Sequence, residues 1–176
     1  ALLPKAGNTI MEYCALSLGT PFFHVYQFIT YMFLHVNFEH IFFNMFALWM
    51  FGRTLEYELG QKRFLTYYMV CGIGAALIQY LTALAFGEFP LVLVGASGAV
   101  MGLLLAFGVL HPNAVIMLLI PPIPMKAKWF VVIYGVIELF LGWRGVGNVA
   151  HFAHVGGMLW GFLLLQWWKQ RGIIRF

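Results

Sequence analysis

Apolar residues run through this chain in long blocks, and the polar positions between them fall in clusters that mark where one block ends and the next begins. A helix that crosses a bilayer needs about 20 mostly apolar residues bounded by charges or turn formers. That rule divides the chain into five spans, at residues 40–55, 64–86, 97–110, 129–143 and 149–168. The charged stretch Glu56 to Arg63 separates the first two, residues 87–94 form a loop, and His111-Pro112-Asn113 closes the third. Pro121, Pro122 and Pro124 break residues 114–128, which are predicted to be a hydrophobic interfacial connector. The third span is too short to cross alone, so it must start inside the bilayer or be shielded by its neighbours. Residues 1–38 are interrupted by Pro4, Gly7, Asn8, Gly19, Pro21 and Asn37 and loaded with aromatics, the pattern of an interfacial loop with short helices.

Composition agrees and narrows the class. Only 9% of the 176 residues are charged and 62% are hydrophobic, where a soluble domain carries about 25% charge. Disordered chains, disulfide scaffolds and nucleic-acid binders are excluded. The expected fold class is an all-α membrane protein, one domain over residues 1–176, with lipid as its surroundings. Cys14 and Cys71 sit in apolar or aromatic sequence and read as inert thiols.

Charge also orients the spans. Arg53, Lys62, Arg63, Lys126, Lys128, Lys169, Arg171 and Arg175 fall on one side, and only Lys5 and Arg144 on the other. The positive-inside rule makes the first side cytoplasmic, the carboxyl terminus with it, and the loops before Ser97 and His151 external. The expected location is a bacterial cell membrane. Ala1-Leu2-Leu3 before Pro4 and Lys5 reads as the tail of an upstream hydrophobic helix.

Polar groups inside spans are costly and are functional candidates. His40 and Asn44, four residues apart, share one helical face near the external end of the first span. Ser97 stands in Gly95-Ala96-Ser97-Gly98-Ala99 at the start of the short span. His154 shares a face with Ala150, Gly157 and Gly161, a small-residue strip able to meet the Gly98, Gly102, Ala106 strip beside Ser97. Such a meeting puts Ser97 and His154 within hydrogen-bond reach, the condition for a base-activated hydroxyl nucleophile. His151, about a turn nearer the surface, reads as a loop or packing residue. Each site alone is explained by helix packing; together they supply a nucleophile, a base and oxyanion donors. No aspartate occurs in the chain, and Glu88 and Glu138 lie outside the obvious constellation, so the expected machinery is a Ser-His dyad with the ring oriented by packing.

These residues resemble the rhomboid family of intramembrane serine proteases. The likeness rests on His40-Ile-Phe-Phe-Asn44 for a His-x-x-x-Asn helix, Gly95-Ala-Ser97-Gly98 for Gly-x-Ser-Gly, and Ala153-His154-Val-Gly-Gly157 for Ala-His-x-x-Gly, in order over nearly the whole chain. Gly52-Arg53-Thr-Leu-Glu56 is similar to the segment that closes the family's second helix. The resemblance implies a six-helix bundle whose first helix precedes residue 1, with residues 1–38 as a large external loop. It implies Ser97 as nucleophile and His154 as general base. The Ser97 backbone N–H with the His40 and Asn44 side chains would form the oxyanion hole, and transmembrane segments of other membrane proteins would be the substrates. No cofactor or metal is expected. Two positions depart from the family pattern: Met101 replaces an aromatic stacked on the histidine, and Tyr26-Gln27 replaces a Trp-Arg pair that anchors the loop.

Two rival readings accompany this one. A catalytically silent relative would bind transmembrane helices without cutting them. A haem carrier would use two of His40, His151 and His154 as axial ligands. No His-Glu-x-x-His occurs for a zinc protease, and no paired broken helices suggest a transporter.

Overall fold

The structure, a computed structural model, describes residues 9–117, 123–145 and 150–176. The expected helix remnant at Ala1 to Lys5, the prolines at 121 and 122, and the start of the fifth span at Val149 lie outside the described residues.

The amino-terminal stretch is a loop of short pieces, as its turn formers predict. It contains helix α1 (Thr9–Cys14), strand β1 (Leu16–Leu18), helix α2 (Gln27–Thr30) and a 3₁₀ turn at Tyr31–Phe33. Gln27 is fully buried and holds this loop together. Its side-chain oxygen accepts from the Ser17 and His24 N–H groups, and its amide nitrogen donates to the Phe22 and Tyr13 carbonyls at 2.8 and 3.1 Å. One amide therefore does the anchoring expected of the absent Trp-Arg pair. Tyr31 fixes the loop to the bundle by donating to the Gly72 carbonyl at 2.7 Å.

Helix α3 (Phe38–Ala47) is capped by Asn37, whose side chain accepts from the His40 N–H at 2.8 Å. The expected end near Leu55 is corrected. The helix continues through a π-helical turn at Leu48–Gly52 into α4 (Arg53–Leu59), so the charged stretch is mostly helical and the break is confined to Gly60. Glu56 and Glu58 tolerate helix well, and Glu58 finds a partner in His111 at 2.9 Å.

Helix α5 (Gln61–Phe86) follows, then strand β2 (Leu91–Leu93), which pairs antiparallel with β1 in the register Leu16 to Leu93. Helix α6 (Ser97–Leu110) matches the expected short span. The connector forms a hairpin of β3 (Val115–Met117) and β4 (Pro124–Lys126) leading into α7 (Ala127–Arg144), and α8 (His151–Gln170) completes the fold.

Helices α5, α6 and α8 pack on one another at the centre, with α7 against α6 and α8. Helix α6 is enclosed on most sides, burying Gly98, Val100, Gly102, Leu103, Leu104 and Ala106. That enclosure lets an apolar helix of 14 residues exist without spanning a bilayer by itself. Outward faces are apolar instead of charged: Phe42, Phe43 and Trp49 on the α3 side and Val132, Val136 and Phe140 on α7 are exposed. This is the surface of a protein solvated by lipid. Among the described residues Gln61–Phe86 is the one helix long and apolar enough to cross a membrane by length and composition.

Candidate active site

Ser97 opens α6 and His154 lies in the first turn of α8, so two helix starts bring the pair together. The small-residue faces read from the sequence are what make the approach possible. A Cβ built on Gly157 would collide with the Gly98 carbonyl oxygen, and one on Gly102 would lie 3.1 Å from the Gly157 carbonyl. With those backbones in contact, His154 Nε2 stands 2.8 Å from Ser97 Oγ. His154 is 8% exposed and Ser97 is half-buried.

The start of α8 is fixed from a second direction. Gln79, buried on α5, accepts from the Ala153 N–H at 3.0 Å, a first-turn donor that it shares with the Ala150 carbonyl. Gln79 escaped the sequence reading, although a glutamine in the middle of an apolar span is the signal that marks it.

The larger correction concerns Glu138. The sequence sets it outside the obvious constellation, yet it projects from α7 to the far side of the His154 ring and is 4% exposed. Its Oε2 lies 2.7 Å from His151 Nδ1 in a hydrogen bond and 3.0 Å from His154 Nδ1, an ion-pair distance at an angle that does not make a hydrogen bond. His151 is likewise buried, at 8% exposure, and is a partner of this carboxylate instead of a loop residue. A carboxylate thus faces the His154 ring in addition to the packing expected to orient it. The three side chains also bring one ligand-capable atom each within 4.8 Å of one another, a grouping the expectation of no metal did not foresee.

On the other side of Ser97, the His40 ring lies directly behind Gly95. A Cβ built there would stand 2.7 Å from His40 Nε2, and the Gly95 φ of +118° is itself a conformation that favours glycine. Gly95 also donates its N–H to the Tyr31 carbonyl at 2.9 Å. Asn44 is 5% exposed and spends one amide N–H on the His40 carbonyl at 2.8 Å. His35 stacks edge-on against His40, ring centroids 4.9 Å apart. Burial holds His35 below the usual histidine range.

A half-buried serine hydrogen-bonded to a histidine, both at helix starts inside an apolar bundle, is the pairing that an intramembrane hydrolase would need. Comparison with known proteins agrees. The rhomboid domain model matches residues 23–169, and the chain belongs to the rhomboid family, whose members are generally intramembrane serine proteases acting on membrane proteins. It is 34% identical over 146 residues to Rhomboid protein 1, mitochondrial, of Saccharomyces cerevisiae, covering 80% of this chain and 41% of that protein. It is 32% identical over 154 residues to presenilin-associated rhomboid-like protein A, mitochondrial, of Danio rerio, covering 82% and 39%. The corresponding Homo sapiens protein, also mitochondrial, is 28% identical over 148 residues, covering 79% and 38%. The match thus spans about two fifths of each relative's length.

These relatives overturn one expectation. The expected location is a bacterial cell membrane, but the three relatives just named are mitochondrial. Cation sorting distinguishes the two sides of a membrane and carries no information on which membrane it is.

Proposed function

We propose that the chain is an intramembrane serine endopeptidase that cuts transmembrane segments of other membrane proteins, in a mitochondrial membrane like the relatives it matches. The 2.8 Å contact between His154 Nε2 and Ser97 Oγ carries this reading. Ser97 Oγ attacks the scissile carbonyl while His154 Nε2 takes its proton, and the same proton is then delivered to the leaving amine. Water, deprotonated by His154, releases the acyl group from Ser97 and regenerates the pair.

The oxyanion is met by the Ser97 N–H, which as the first residue of α6 has no intrahelical acceptor, and by the positive end of that helix. His40, seated behind Gly95, and the second amide N–H of Asn44 complete the donor set. The silent-binder reading leaves the Ser97–His154 contact without a purpose. The haem reading loses one of its three candidate ligands, because the two nitrogens of His154 face Ser97 and Glu138.

The test is cleavage of a model transmembrane substrate by the purified protein. Ser97→Ala and His154→Ala each abolish it. Undiminished cleavage by Ser97→Ala would falsify the proposal.

A further inference from the structure

We infer that Glu138 is a positioning residue for the base of the Ser97–His154 dyad, a Ser97–His154–Glu138 relay in which the reacting groups remain the serine and the histidine. The inference rests on the protease reading above. It starts from three atoms in sequence: Ser97 Oγ is 2.8 Å from His154 Nε2, and Glu138 Oε2 is 3.0 Å from Nδ1 of the same ring. A histidine can take a proton on Nε2 only if the neutral ring carries its hydrogen on Nδ1. A carboxylate facing Nδ1 selects that tautomer, and its charge stabilises the imidazolium formed when Ser97 gives up its proton. Glu138 stays ionised and Nδ1 keeps its hydrogen throughout; the one proton that moves goes from Ser97 Oγ to His154 Nε2 and on to the leaving group.

Burial makes the arrangement costly unless the carboxylate is well held, since a carboxylate out of water needs hydrogen bonds to most of its lone pairs. Glu138 has them: the His151 Nδ1 contact at 2.7 Å and the Tyr134 hydroxyl one turn earlier on α7. His151 is thus one of two groups that hold the carboxylate, Tyr134 being the other, and its place at the first position of α8, one turn before His154, lets a single glutamate face both rings. The spacings favour hydrogen bonding over metal ligation. Ligand atoms around a tetrahedral zinc at roughly 2.0–2.1 Å stand about 3.3 Å from each other, whereas the two nitrogen-to-oxygen separations are 2.7 and 3.0 Å.

The experiment compares Glu138→Gln, Glu138→Asp and His151→Ala with the unaltered protein in two assays, steady-state cleavage of the model substrate and the rate at which a fluorophosphonate labels Ser97. Gln keeps the shape and an acceptor for His151 but removes the charge and can present an N–H to Nδ1, selecting the wrong tautomer. The relay predicts that Glu138→Gln lowers kcat by at least about 10²-fold with KM within about twofold, and slows labelling in proportion. Glu138→Asp recovers part of that loss. His151→Ala, which leaves the carboxylate facing His154, retains activity within about tenfold.

Labelling and kcat of Glu138→Gln within threefold of the unaltered protein would overturn the relay while leaving the protease reading intact. So would an equal loss in His151→Ala and Glu138→Gln, which marks the glutamate as a fastener of the α7–α8 junction. Undiminished labelling in Ser97→Ala, by contrast, sinks the protease reading itself. Should Glu138→Gln fail to yield monodisperse protein, the kcat and labelling rate of Glu138→Asp decide: a reduction in both at unchanged KM supports the relay, and no reduction removes it.

Discussion

Ser97, His154, His40 and Asn44 were legible as residues because each breaks an apolar block and two of them sit on strips of small side chains. The structure unites the first two at 2.8 Å through backbone contact between Gly98 and Gly157. Glu138 was not legible as a partner: 16 positions before His154 and on another helix, it could join the site only through the rotation of α7 on α8, which no spacing rule gives. His40→Ala and Asn44→Ala should each lower kcat by on the order of 10²-fold if both supply oxyanion donors, with Ser97 still hydrogen-bonded to His154. Losses below about threefold would reduce them to helix glue. His35 adds a pH dependence. Its proton is bound less readily in the folded loop than in the unfolded chain, so its contribution to stability is intact above the free-histidine value of about 6.5 and declines as pH falls below it. The thermal midpoint in detergent should drop between pH 7 and pH 5, and His35→Gln should shallow that drop.

Among the elements, the central helices fell where apolar block length put them. Helix α6 coincides with its expected range, and α5 and α7 differ from theirs by at most three residues at an end among the described residues. The helix after Asn37 ran on past its expected end because a charge cluster stops a span without stopping a helix; Arg53, Glu56 and Glu58 are good helix formers. The β1–β2 pairing was also invisible, since neither three-residue strand has enough alternation to be read and their partnership joins residues as far apart as Leu16 and Leu93. The α6–α8 contact is the element on which the site depends. Gly157→Val puts a branched side chain into the Gly98 carbonyl, and the expected result is about 1–3 kcal/mol of destabilisation with loss of cleavage. Thermal unfolding beside the cleavage assay checks it, and an unaltered midpoint would show that the two helices are not held at this spacing.

For the whole molecule, scarce charge sets both the solvent and the polarity of the site. The helices alternate direction, so the ends of α5 and α7 and the starts of α6 and α8 gather on the side poor in cations, with Ser97, His154, Glu138 and His151 among them. The opposite side carries Arg53, Lys62, Arg63 and the tail cations Lys169 and Arg171. The chain has no aspartate, and the carboxylate that faces His154 belongs to a glutamate reaching from α7. All of these assignments depend on Ser97 being a nucleophile. Intact-mass and peptide mass spectrometry after fluorophosphonate treatment tests that most directly: one phosphonyl adduct on Ser97, absent in His154→Ala, is the predicted result, and no adduct, or an adduct on any other residue, contradicts it.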